Sequence, residues 1–181
     1  LSGTTATTTL RKEIPFSEAT NGPMWADAST DYTNLSFKHL AGLLKLTVSG
    51  LPTDKKLVLK VTADKNIAGT ATVNLNPASG EPYLEVSDEE GATGVVKEIT
   101  VTDVQAVAGQ ATVFYVPLPV KTLGELKVNI YDKNNTSTPL YKEKKWTNIA
   151  VARAMIRSAS FGFEVVDATG DKTITQAITN A

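Results

Sequence analysis

At least six short stretches of the chain alternate apolar and polar residues with a period of two, and this period constrains the fold more than any other feature. Residues i, i+2 and i+4 of a strand share a face, so such stretches specify half-buried strands that stack in layers. In residues 43–49, Leu44, Leu46 and Val48 point inward while Lys45 and Thr47 point outward. In residues 56–63, Leu57, Leu59 and Val61 repeat the pattern after a turn at Leu51-Pro-Thr-Asp-Lys55. Ala71, Val73 and Leu75 give a third strand, ended by the breaker Asn76-Pro-Ala-Ser-Gly80. This density predicts an all-β chain folded as an antiparallel β-sandwich of about seven or more strands.

Further strands are expected at 95–104 and 111–116. In the latter, Val113 and Tyr115 share one face and Phe114 and Val116 the other. Both faces are apolar, so this strand is expected centrally, with Val113 and Tyr115 toward the core and with Pro117 and Pro119 ending it. Leu126, Val128 and Ile130 open the clearest hairpin, which turns at residues 132–138 and returns over 140–146. The alternation lapses over 148–158, which fits either a short helix or a bulged crossover, and resumes at Phe161, Phe163 and Val165. In the tail, Thr173 and Gln176 have capping-box spacing while Ile174, Ala177 and Ile178 follow i, i+3, i+4, leaving both a short helix and an added strand open. Residues 1–35 are hydroxyl-rich and interrupted by Pro15 and Asn21-Gly-Pro23, which reads as an extended N-terminal arm. The expected organisation is therefore an arm (1–35), a β-sandwich domain (36–166) and a C-terminal tail or linker (167–181).

The chain of 181 residues carries 18 Lys plus Arg against 19 Asp plus Glu, so no whole-protein field draws it to phosphate backbones, and no nucleic-acid partner is expected. Cysteine is absent, which removes disulfide frameworks, thiolate metal sites and cysteine nucleophiles together. No run approaches the roughly 20 apolar residues of a membrane-spanning helix, and no signal-peptide pattern opens the sequence. The expectation is a cytoplasmic protein or a processed form of an exported one.

His39 is the only histidine, so imidazole metal sites and Ser-His-Asp triads have one candidate residue between them, and its place at a strand start suits a structural role. No nucleophile elbow, phosphate-binding glycine loop or zinc-protease motif occurs. Paired carboxylates could still support glycoside hydrolysis, and Glu81, Glu85, Glu98, Glu125 and Glu143 lie on or near strands, where solvated positions are the ordinary use of glutamate. The segment from Asp132 to Glu143 places oxygen-bearing residues at calcium-loop positions 1, 3, 5, 7 and 12, but Ser137 takes the glycine position and the flanks are strands. Trp25, Tyr83, Tyr131, Tyr141 and Trp146 could form a sugar-stacking platform, against their commoner use in packing. The reading is no enzyme, no cofactor and no metal.

Three motifs in order, Leu35-Ser-Phe-Lys-His-Leu-Ala-Gly-Leu-Leu-Lys-Leu-Thr-Val48, Phe114-Tyr-Val-Pro-Leu-Pro119 and Arg153-Ala-Met-Ile-Arg-Ser-Ala-Ser-Phe-Gly-Phe163, resemble the fimbrillin-like proteins of Bacteroides and its relatives. The resemblance covers roughly residues 35 to 165. It implies a transthyretin-like sandwich at the cell surface or outer membrane, made as a lipoprotein with a lipid anchor upstream and used as a fimbrial or adhesive subunit. The implied partners are other pilus subunits or host and bacterial surface ligands. In that family a protease cuts after an arginine near the amino terminus and a neighbour's strand fills the groove left behind, which is β-augmentation at an open edge. Arg11 is the only arginine before Arg153 and is therefore the candidate processing site. The chain departs from the family in lacking the lipobox cysteine and in being short for a two-domain subunit. A glycan-binding surface module is the rival reading.

Overall fold

A computed structural model describes residues 5–18, 22–26, 35, 37–75, 80–162 and 176–177. Among them are the strands β1 (Thr5–Leu10), β2 (Glu13–Pro15), β3 (Met24–Ala26), β4 (Phe37–His39), β5 (Gly42–Ser49), β6 (Leu57–Ala63), β7 (Ala68–Asn74) and β8 (Tyr83–Glu85). They continue with β9 (Val95–Val96), β10 (Glu98–Val104), β11 (Thr112–Leu118), β12 (Lys121–Asp132), β13 (Lys144–Val151), β14 (Ile156–Gly162) and β15 (Gln176–Ala177). The single helical element among the described residues is a 3-10 turn, Phe16–Glu18. The all-β sandwich expected from the period-two pattern is what forms.

Two sheets make the layers. One runs β13-β12-β6-β10-β2 and the other β11-β5-β14-β15. Their facing side chains form the main core, in which Leu46, Val48, Leu57, Leu59, Val61, Ile99, Val101, Phe114 and Val116 are fully buried. Leu44, Leu126, Val128 and Ile130 also lie inward, as the alternation predicted.

The strand at 112–118 differs from expectation in two ways. It is an edge strand of its sheet among the described residues, pairing with β5 alone. Its core face carries Phe114, Val116 and Leu118, whereas Val113 and Tyr115 are half-buried on the outer face. Where both faces are apolar, period two does not say which one turns inward, and the largest ring takes the interior. Tyr115 instead lies opposite Lys45, whose Nζ is 5.9 Å from the ring centroid.

A second, smaller core lies beside the first. Sheet β1-β7-β8, with β9 also pairing β7, buries Leu10, Ala71, Val73, Leu84 and Val86 together with Leu40. The ribbon of β3 and β4 brings Trp25 against this core. The segment expected as an arm thus supplies three strands, and two of its side chains, Leu10 and Ile14, are buried.

The lapse at 148–158 is a crossover. β13 ends at Val151, Ala154 holds a left-handed backbone (φ 56°) with its amide bonded to Ala41 O at 3.0 Å, and β14 then pairs parallel to β5. In the tail, β15 pairs with β14 at Ser160 and Phe161. The expectations for residues 76–79, Phe163, Val165, Ile174 and Ile178 lie outside the described residues.

One partly buried hydrogen-bond network centres on Lys121. The Lys121 side chain, only 10% exposed, donates from Nζ to Asn66 O (2.8 Å), Val86 O (2.7 Å) and Asp88 Oδ2 (2.9 Å). Asn66 completes it, donating its amide to Asp88 Oδ1 at 2.8 Å and its side-chain amide to Ser87 O at 2.8 Å. Burial pushes the Asp88 carboxyl up, but the Lys121 and Asn66 hydrogen bonds and the lysine charges outweigh it, and the net direction is down. A carboxyl held below its unfolded value stabilises the fold above that value, about pH 4, and loses the contribution as pH falls through the folded value. Urea midpoints of the parent are therefore expected to fall on acidification below about pH 5, and those of Asp88→Asn to fall less steeply. Equal acid slopes would show that this network is not coupled to folding.

Candidate functional site

β1 is built from small β-branched and apolar residues. Thr5, Thr7 and Thr9 face solvent, and Ala6, Thr8 and Leu10 face the sheet, in keeping with strand propensity on a half-buried surface. It pairs antiparallel with β7 along its whole length, from Thr5 opposite Asn74 to Leu10 opposite Gly69. Its other edge has no strand partner among the described residues. Only Leu10 is a large buried side chain, at 2% exposure, and it sits across from a glycine that leaves it room. Main-chain hydrogen bonds and one anchor therefore hold this strand.

Arg11 and Lys12 form the exposed link from β1 to β2. Arg11 Nη1 meets Glu18 Oε2 at 2.5 Å, with both side chains about half exposed, so the pair contributes about 0–1 kcal/mol. Beyond the link, Lys12 O accepts the Thr100 amide at 2.8 Å and Ile14, 3% exposed, enters the main core from β2, which runs parallel to β10. Leu10 and Ile14 thus anchor the chain in two different cores, and Arg11 lies between them. A cut after Arg11 would leave β1 attached by its ladder, by Leu10 and the smaller Ala6, and by the exposed Arg11–Glu18 pair.

The other candidate residues are placed apart from this edge. His39 lies exposed on β4, opposite Met24, and its carbonyl accepts Arg153 Nη1 at 3.3 Å. Glu81 pairs with Lys38 at 2.6 Å, and that hydrogen bond draws its pKa down. Glu98 pairs with Lys60. Glu125 and Glu143 do converge, since both contact Lys127, at 2.9 and 3.7 Å, and Glu125 also pairs with Lys145. The Lys145 and Lys127 hydrogen bonds hold the Glu125 carboxyl below its ordinary range, opposite to the raised value a general acid needs. In the 132–143 loop, Asp132 Oδ1 accepts the Asn134 amide and Asn135 Oδ1 the Ser137 amide, so its oxygens serve the turn itself. Among the described residues no cluster of three or more His, Asp or Glu could hold a metal ion. Nor is any helix among them long and apolar enough to cross a membrane.

The five platform candidates are dispersed. Trp25 packs on the second core, Trp146 and Tyr141 on the first, Tyr131 lies under Lys60, and Tyr83 is on β8 opposite Asn74.

No protein-family model matches the chain, and no curated protein matches it. Solved structures similar to the chain include the following two. One, a provisionally named cell adhesion protein of Bacteroides fragilis NCTC 9343, shares 10% identity at a TM-score of 0.49 over 81% of this chain and 48% of its own. The other, a provisionally named cell adhesion protein of Bacteroides ovatus ATCC 8483, shares 13% identity at a TM-score of 0.49 over 98% of this chain and 60% of its own. This chain spans about half to three-fifths of the length of these two proteins.

Proposed function

We propose that this chain is a non-enzymatic structural or adhesive subunit of the bacterial cell surface, of the fimbrillin type, and that it assembles by exchange of its first strand. The observation that carries this reading is β1 itself. It is an edge strand with one large anchor, tied to the remaining chain through an exposed arginine. Its inward residues Ala6 and Thr8, opposite Val73 and Ala71, are small, so a donor strand with bulkier apolar side chains at those places would bury more surface against the same partner. The outer membrane or fimbrium is the setting, and other subunits or surface ligands are the partners. The three motifs of the sequence place the chain in the same context.

An Arg-specific protease is expected to cut the native protein first after Arg11. Arg11 and Lys12 are exposed and lie between β1 and β2, whereas Arg153 is followed by Ala154 in a left-handed conformation and Arg157 lies within β14. The cut chain should then form oligomers that a free peptide of residues 1–11 suppresses. First cleavage at Arg153 or Arg157, or a cut chain that stays monomeric, would overturn the proposal.

A further inference from the structure

Among the described residues the two sheets do not close along one side. There β13 is the outer strand of its sheet, and β14 in the opposite layer pairs with β15 at Ser160 and Phe161. Between Thr147–Ala150 and Arg157–Ala159 a cleft of about 230 Å³ remains, floored by the core residues Leu44 and Leu126 and walled by Trp146. Asn148, in its lining, has a left-handed backbone (φ 55°), and the pairing of β13 with β12 skips it between Thr147 and Ile149 without a change of register.

Among the described residues, Arg157 is the one charged residue lining this cleft. Its Nε donates to Ala150 O at 2.9 Å, which restrains the guanidinium against β13. No carboxylate among the described residues pairs with it. The same bond occupies an edge carbonyl that a docking strand would need, and Asn148 breaks the regular ladder beside it. This cleft is therefore unlike the β1 edge.

We propose that the cleft binds a small amphipathic anion, a carboxylate carried on an apolar body. The floor offers apolar surface to cover, the volume is below the roughly 300–1,000 Å³ of drug-sized sites, and the oriented guanidinium offers a planar pair of donors to a carboxylate. The inference is independent of strand exchange.

Octanoate and 1-octanol test it, since they share an apolar chain and differ in the head group. The chain holds two tryptophans, so in Trp25→Phe the emission of Trp146 reports on the cleft alone. Octanoate should give a saturable change, with 1-octanol binding about tenfold more weakly, and Arg157→Gln should bring octanoate to the level of the alcohol. Arg157→Lys should retain part of the preference. No saturable response to octanoate, or equal affinities for the two probes with Arg157 in place, overturns the proposal whether or not the position-157 variants fold. An unchanged preference in a folded Arg157→Gln chain overturns it as well.

Discussion

Replacing Phe114 by Ala is expected to lower the unfolding free energy by about 3–5 kcal/mol. The ring is fully buried in the main core, and it meets Phe16 edge-to-face with centroids 5.4 Å apart and planes at 61°. Removing it takes away the transfer free energy of the ring and leaves a cavity that an antiparallel ladder to β5 holds open on one side. It also removes the aromatic partner of the 3-10 turn that follows β2. Urea unfolding should show a lower midpoint at unchanged slope. Tyr115→Ala is the control: its half-exposed ring lies on the outer face, and its loss should cost well under half as much. A larger loss for Tyr115 than for Phe114 would mean that the strand faces the other way.

The second large effect is expected at Gly69. Its φ is +106°, a region that side-chain-bearing residues rarely adopt, and a Cβ built there would lie 2.0 Å from Gly94 O and 2.8 Å from Val95 Cα. Both obstacles are backbone, and Gly94 O already accepts the Thr70 amide at 2.9 Å. Gly69→Ala must therefore strain its own dihedrals and push β9 off β7 in the same step, at a combined cost of about 3–5 kcal/mol. Gly91→Ala isolates the first part, since its φ is +82° with nothing within 4 Å of the added carbon. The difference in urea stability between the two variants should exceed about 1 kcal/mol, the lower end of what overpacking costs. Equal losses would show that β9 yields freely.

The legible part of this fold was the part where one face is apolar and the other is not. β5 alternates cleanly, and Leu57, Leu59 and Val61 of β6 and Leu126, Val128 and Ile130 of β12 lie inward as the alternation named, while Val58 and Leu123 are buried outside it. β11 is apolar at Val113, Phe114, Tyr115 and Val116, so its facing depended on which ring the opposite layer could accommodate, a tertiary fact with no local signal. β1 was hidden for the opposite reason. Its threonines and alanine carry little apolar contrast, and what places it in a sheet is the partner β7, some sixty residues away. Leu10 ending a Thr-rich run was the one available cue. Arg11 was found by being the only early arginine, but its position between two anchors in two cores required the coordinates. Arg157 was noticed only within a motif, because nothing local indicates that β13 and β14 leave a cleft beside it.

Exchange of β1 without unfolding of the remaining chain is the most direct test of strand complementation. After cleavage at Arg11, the native protein would be mixed with isotopically labelled peptide of residues 1–11, and intact mass spectrometry of the non-covalent complex would follow the bound peptide as circular dichroism follows the fold. The account predicts that labelled peptide replaces the original while the β signal is unchanged, because a ladder to β7, the Leu10 and Ala6 side chains and the exposed Arg11–Glu18 pair are what resist its departure. Replacement that occurs only in urea concentrations that unfold the whole chain would contradict it, since β1 would then be an integral strand and not an exchangeable one.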